Sequence, residues 1–307
     1  MTKVIVIVGP TSVGKTKMGV ELAKKLNGEV ISGDSMQIYK GMDIGTAKVT
    51  EEEMDGIPHH LINIKNPDEP YSVKDFQDEV RKCIENITLR NKMPIIVGGT
   101  GLYIKAALYD YEFSESEIDH DYFKEKYKDY TNEQLHQYLR SIDMKSADEL
   151  HFNNRQRVLR AIEIFELTGK KKSEMLEEQQ HICLYDACFI GLTLERELLY
   201  KRINRRVDIM FNNGLETEVK RLYNLGYNKT MQSMKGIGYK EWFDYFDGYI
   251  SKGEVSELIK KNSRNYAKRQ YTWFKNQFDM HWFEVNLNHF DETVLNVLSF
   301  LKENKIC

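Results

Sequence analysis

Apolar residues run without alternation through Lys3–Val8 (KVIVIV), which predicts a strand buried on both faces. Past the turn GPTSVGKT the period changes. Met18, Leu22 and Leu26 recur at helical spacing, so Lys15–Asn27 reads as an amphipathic helix. Glu29–Ser32 reads as a short strand and Pro58–Ile64 (PHHLINI) as another. Ser72 is placed to cap a helix, with Asp75 in its first turn and an apolar stripe of Val73, Phe76, Val80, Ile84 and Ile87. Pro94–Val97 is a further buried strand, which GGTGLY turns into the next helix.

Strands alternating with helices predict βαβ units and a parallel sheet. The pattern changes after about residue 112. Residues 114–182 are charged, helical in period and poor in strands. Phe189–Leu194 reads as a strand again, Ile203–Leu225 as a long helix, His281–Val285 as the last strand and Phe290–Lys302 as the last helix. The expected fold is α/β: a parallel sheet of the P-loop NTPase-like kind, flanked by helices, with a mostly helical insertion domain. The core takes 1–112 plus 188–307 and the insertion 113–187.

Composition changes this picture little. The chain has 307 residues, 41% hydrophobic and 30% charged, which suits a soluble globular protein with one core and an inserted subdomain. No stretch approaches the ~20 apolar residues that cross a bilayer. MTKVIVIVGP has no secretory-leader architecture, so a cytoplasmic protein with no membrane partner is expected. Cys83, Cys183, Cys188 and Cys307 form no CxxC pair. Reduced thiols are expected, with no zinc and no disulfide.

Charge adds more. Residues 155–275 carry 23 Lys and Arg against 16 Asp and Glu, a net +7. That leaves −10 on the rest of a chain whose net charge is −3. Such a basic segment is either a solvated surface or the footprint of a polyanion.

The candidate chemistry starts at the first turn. Gly9, Pro10, Thr11, Ser12, Val13, Gly14, Lys15 and Thr16 match G-x-x-x-x-G-K-[ST]. Backbone N–H groups at a helix N-terminus converge on phosphate oxygens, Lys15 adds a full charge, and the Thr16 hydroxyl is placed for Mg²⁺ or a phosphate oxygen. An ATPase engine would carry a carboxylate at the end of another buried strand. PIIVGGTGLY ends instead in Gly98, Gly99 and Thr100.

The nearest strand-end acid is Asp34, which follows the second strand and opens toward the same crevice. It suits a base taking a proton from an acceptor that faces the phosphate. It suits a turn cap with Ser35 as well. Asp43 is the weaker candidate. The Thr100 hydroxyl suits a phosphate oxygen, a helix N-cap, or both.

Arg202 and Arg206 stand at i and i+4 on one helical face, and two guanidinium forks suit a diphosphate. Surface pairing with Asp208 or Glu197 is the alternative. NYAKRQYTWFK (265–275) interleaves Lys268, Arg269 and Lys275 with Tyr266, Tyr271, Trp273 and Phe274. That mixture suits unstacked single-stranded bases, although Tyr271 and Phe274 fit a core as well. KGIGYK (235–240) and NNRQRVLR (153–160) are two more basic stretches, and Lys170–Lys172 reads as a solvated loop. His59 and His60 read as hydrogen-bonded structural histidines.

GPTSVGKT, DSMQIYKGMDIGTAK, PHHLI, PIIVGGTGLY, NNRQRVLRAIE, LYKRINRRVDIM, GIGYKE and YAKRQYTWF occur in this order from residue 4 to about 275. The set resembles the bacterial tRNA dimethylallyltransferases. Residues 113–150 match poorly, and NNRQR departs from the family's usual lead-in. The resemblance implies transfer of a dimethylallyl group from dimethylallyl diphosphate to N6 of the adenosine 3′ of the anticodon, in tRNAs reading U-starting codons.

It implies Asp34 as general base, with Thr100, Arg206 and Lys15 assisting at the diphosphate and Mg²⁺ on Thr16. It implies tRNA contacts at Asp34, Ser35, Met36 and Gln37; at Thr100; at Gln156, Arg157, Val158, Leu159 and Arg160. Further tRNA contacts fall at Lys235, Gly236, Ile237, Gly238, Tyr239 and Lys240, and at Lys268, Arg269, Gln270, Trp273 and Lys275. The expected partners are the tRNA anticodon stem-loop and dimethylallyl diphosphate, acting on a monomer. The runner-up is a small-molecule or nucleoside kinase using ATP, and a third reading is an RNA-binding NTPase switch. The basic, aromatic segment disfavours the kinase, whose acceptor is small.

Overall fold

The computed structural model describes residues 1–111, 120–178 and 182–306. Cys307 and the expected start of the insertion at 113 lie outside the described residues. In β1 (Lys3–Val8), Val4, Val6 and Val8 face one apolar cluster and Ile5 and Ile7 the other. That two-sided burial is why the strand's hydrophobic run has no alternation.

The chain continues through α1 (Lys15–Lys25), β2 (Gly28–Gly33), α2 (Glu51–Met54), β3 (His59–His60), α3 (Val73–Leu89), β4 (Met93–Gly98) and α4 (Gly101–Leu108). After the insertion come β5 (Asp186–Thr193), α10 (Arg196–Asn212), α11 (Leu215–Asn224), α12 (Trp242–Phe246), α13 (Lys252–Gln277), β6 (His281–Glu284) and α14 (Phe290–Glu303). The insertion supplies α5 (His120–Lys126), α6 (Asn132–Ile142), α7 (Met144–Glu149), α8 (Arg155–Thr168) and α9 (Lys172–Glu178).

The strands pair in parallel in the order β3-β2-β4-β1-β5-β6. Val8 is in register with Gly98, and Gly33 with Gly98, so β1, β2 and β4 end together. Their carboxyl ends, with the loops that follow, form the rim where ligands of such sheets bind. Two compact units result: Met1–Tyr109 with Cys183–Cys307, and Asp110–Ile182. The second has its own core around Leu135, Leu139, Val158, Leu159 and Ile162. Among the described residues no helix is long and apolar enough to cross a membrane.

Two expected elements change. The strand over 58–64 shortens to His59–His60 because Leu61 and Asn63 take left-handed backbones, with φ of 61° and 57°. The long helix over 203–225 breaks into α10 and α11 at Gly214, whose φ of 93° no helix accommodates. Ser72 and Asp75 do form a reciprocal capping box at the start of α3.

Candidate active site

The phosphate loop leaves β1 at Gly9, whose φ is 146° and where a Cβ would lie 2.5 Å from the Leu192 carbonyl oxygen on β5. Only glycine permits that close approach. The Lys15 ammonium donates to the Gly9 and Pro10 carbonyls at 3.0 and 2.8 Å. The Ser12 Oγ is buried and has no hydrogen-bond partner among the described residues. Thr16 is exposed at the start of α1.

The arginine helix closes over this loop. Arg202 Nε donates to the Ser12 carbonyl at 2.9 Å. Arg206 donates to Thr11 Oγ1 at 3.2 Å and to the Ala47 carbonyl at 3.3 Å. The alternative of a surface pair with Asp208 falls, since Asp208 binds Lys260 at 2.8 Å. Burial first, and then nearby Arg206, depress the Lys15 pKa to about 7 against the attraction of Asp34. Arg206 too is pulled down by burial, against the attraction of Asp34 and Glu53. Cations crowded in this way are relieved by an anion with several charges.

Asp34 follows β2. Its Oδ1 accepts from the Met36 amide at 2.9 Å, so it does cap the turn, and its carboxylate also faces the site. Thr100 occupies the N-cap position of α4 without capping it. Its Oγ1 accepts instead from the Ser35 amide at 3.2 Å, which ties the two strand-end turns together. From α13, Gln270 spans the rim: its Oε1 accepts from the Thr11 amide at 2.9 Å and its Nε2 donates to the Gly99 carbonyl at 3.0 Å. Tyr266, one helical turn earlier, donates to the same carbonyl at 3.4 Å.

Two cavities meet here. One, of about 520 Å³, combines Gly14, Lys15, Thr16, Arg202 and Arg206 with an apolar wall of Val30, Val49, Ile62, Val97 and Ile209. The other, of about 340 Å³, has Met36, Ile203, Val207, Met210 and Ile237 beside Lys235, Lys240 and Arg269. Thr11, Ser12, Asp34, Thr46, Arg206 and Tyr266 line both.

Other expected residues separate by burial. Gln156 and Arg157 are exposed and Arg160 half-buried, but Val158 and Leu159 lie in the core of the insertion. As side-chain contacts for RNA those two are corrected to packing residues, because the helical period turns them inward. Lys235 and Lys240 are exposed, Gly236 and Ile237 are half-buried, and Gly238 and Tyr239 are buried. Tyr239 donates to Glu218 at 2.7 Å, so its side chain too is corrected to a packing role. Gln270 is likewise corrected to an internal bridge, since both ends of its buried amide are taken.

Lys268, Arg269 and Lys275 are exposed. Trp273 is half-buried and packs over Gly101, where a Cβ would meet its ring at 2.1 Å. Phe274 is core, and Tyr271 lies on Trp282 with ring centroids 4.9 Å apart. Lys172 is not in a solvated loop: it begins α9, half-buried near Arg157 and Arg160. His59 Nδ1 meets the Ile57 carbonyl at 2.8 Å and His60 Nε2 meets Glu29 at 2.7 Å, so both are held structurally.

The roles of Tyr266 and Gln270 and the apolar cavity wall were missed from sequence. The i, i+4 spacing of Tyr266 and Gln270 around Ala267 was the available signal. The wall residues are scattered over β2, β4 and three loops or helices, and no local pattern joins them.

Sheet, phosphate loop and cation cluster define a P-loop NTPase-like α/β protein. Its strand-end carboxylate stands beside the phosphate-binding loop rather than at the end of a central strand. The IPP transferase family model matches residues 37–277. A tRNA dimethylallyltransferase of Bacillus cereus is 56% identical over 286 residues, covering 92% of this chain and 90% of that protein.

A tRNA isopentenylpyrophosphate transferase structure from Bacillus halodurans is 48% identical with a TM-score of 0.76, covering 99% of this chain and 96% of the other. A eukaryotic dimethylallyltransferase, captured acting on tRNA, is 32% identical with a TM-score of 0.86, covering 100% of this chain and 80% of that one. The chain belongs to the IPP transferase family.

Proposed function

We propose that this protein transfers a dimethylallyl group from dimethylallyl diphosphate to N6 of the adenosine 3′-adjacent to the anticodon of tRNAs reading U-starting codons. The products are N6-isopentenyladenosine and diphosphate. The observation that carries the proposal is the meeting of two cavities at Asp34 and Arg206. One pairs a phosphate loop with an apolar wall, as a prenyl diphosphate requires. The other is rimmed by lysine and arginine and, at about 340 Å³, has room for a base.

The adenine N6 lone pair is delocalised into the ring, so the amine is a poor nucleophile. Asp34 on the shared wall takes its proton as the C–N bond forms, an assistance typically worth ~10²–10⁴ in rate. The electron pair of the breaking C–O bond leaves with diphosphate. Lys15, Arg202 and Arg206 stabilise that growing charge, and Thr100 holds the turn that carries Asp34. The loop amides from Ser12 to Gly14 cradle the leaving group, and the partnerless Ser12 hydroxyl suits one of its oxygens.

Mg²⁺ fits this set. Among the described residues no three His, Cys, Asp or Glu cluster to hold a metal, and Mg²⁺ commonly takes one hydroxyl plus phosphate oxygens and waters. Thr16 would hold it, and it would supply charge neutralisation on the diphosphate. The anticodon-loop base must leave its stack at a cost of a few kcal/mol, offset by the exposed cations of α13 and the 235–240 loop. Phosphate loop, base and both cavities come from one chain, so a monomer suffices, and an enzyme whose acceptor is tRNA works in the cytoplasm. Family membership and the exposed cations of α13 favour this reading over an ATP-dependent kinase, whose acceptor is small.

The test incubates the protein with Mg²⁺, radiolabelled dimethylallyl diphosphate and undermodified tRNA, with ATP in a parallel tube. Label enters tRNA and ATP is not consumed. ATP consumption without labelled tRNA would overturn the reading in favour of the kinase.

A further inference from the structure

Glu218 lies in the first turn of α11, 8% exposed, and lines neither cavity. Its Oε2 accepts from the Asp43 and Ile44 amides at 2.9 and 2.8 Å. Its Oε1 accepts from the Gly45 amide at 3.0 Å and from the Tyr239 hydroxyl at 2.7 Å. A buried carboxylate is costly unless its lone pairs are met, and four donors meet them here.

Those donors belong to two loops distant in sequence, 43–47 and 235–240, which together form walls of the smaller cavity. The loops touch. A Cβ at Gly45 would fall 2.5 Å from the Tyr239 ring, and one at Gly238 would fall 3.1 Å from the Gly45 carbonyl oxygen. The first loop also reaches the diphosphate side, because the Ala47 carbonyl accepts from Arg206. The second has a separate anchor in Glu241, which accepts from the Gly238 amide at 2.9 Å. Among the described residues, Glu218 accepts from donors of both loops.

We propose that Glu218 is a positioning residue for the acceptor side of the site. Its carboxylate sets the separation of the two loops and thereby the width of the cavity that admits the base. This rests on the reading of the smaller cavity as the acceptor site. The donor side depends on it little: among the described residues Lys15 and Arg202 bind phosphate-loop carbonyls, and Arg206 has an anchor of its own in Thr11.

Glu218→Gln tests the proposal. The substitution keeps the shape but turns one oxygen into an N–H₂ donor facing N–H donors, so at least one loop amide loses its acceptor. The kcat/KM for tRNA falls about tenfold or more, the factor expected from one lost hydrogen bond to a charged group. Affinity for dimethylallyl diphosphate stays within about threefold, since its contacts bypass Glu218. Hydrogen exchange of the 43–47 amides rises about tenfold, the local readout of a lost carboxylate acceptor.

Glu216→Gln is the control. It sits on the same helix, bound to Tyr245 and Lys252, and changes none of the three readouts. If Glu218→Gln fails to fold, Tyr239→Phe removes one of the four bonds and lowers tRNA kcat/KM by about threefold. Unchanged exchange and kinetics overturn the proposal. So does an equal loss on both substrates, which marks a merely structural residue. If the wild-type protein labels no tRNA, the parent reading falls, and the exchange measurement still decides whether Glu218 braces the loops.

Discussion

Asp34 is held at one oxygen by the Met36 amide, and its carboxylate faces both cavities. A carboxylate fixed in this way is aimed as well as charged, which general-base catalysis requires. Asp34→Ala is expected to lower kcat by about 10²–10⁴ while tRNA affinity stays within about tenfold. Single-turnover rates and filter-binding affinities check this. A binding loss as large as the rate loss would make Asp34 a recognition residue instead. Asp34, Lys15, Thr16 and Arg206 were legible as residues because each belongs to a short motif with its own geometry. Gln270 was legible only as a name within a basic helix. Its bridge from Thr11 to Gly99 joins residues far apart in sequence, and no local pattern records that.

At the scale of elements, α13 serves two surfaces at once. Over its 26 residues the 3.6-residue period turns Tyr266 and Gln270 into the site, sets Arg269 at the mouth of the smaller cavity and turns Lys268 and Lys275 outward. Composition had merged these into one basic, aromatic stretch, and the helix separates them. Changing Lys268 and Arg269 together to Ala is expected to weaken tRNA binding and make its log–log salt slope shallower by about 1–2. An unchanged slope in a salt titration would remove that face from the RNA interface. α10 and α11 show the opposite case. A helix-like apolar period ran through Gly214, but a left-handed glycine ends one helix and begins another, and that break is what brings Glu218 to the 43–47 loop.

Over the whole molecule the sheet is tied next to its β3 edge by Glu29 on β2, which is fully buried yet charged. Burial alone would raise its pKa. Hydrogen bonds from Arg90, Lys92 and His60 outweigh that and hold it at about 2, below the ordinary 4.5. A carboxylate depressed in the folded state stabilises the fold above its unfolded pKa. That stability is lost as pH falls from about 5 toward 2, on the order of 3 kcal/mol in all. Urea melts across that range should show the decline, and Glu29→Gln should flatten it; an equally steep decline in the variant would place the acid sensitivity elsewhere.

The sequence by itself determined the alternation of strands and helices, the phosphate loop and the strand-end acid. These depend on hydrogen bonds and side-chain periods within a few residues of one another. Only the tertiary structure decided which basic residues face the site, where the apolar wall of the larger cavity lies, and that Glu218 binds two distant loops. Those features arise when segments far apart in the chain pack together, and packing depends on three-dimensional neighbours rather than on local spacing.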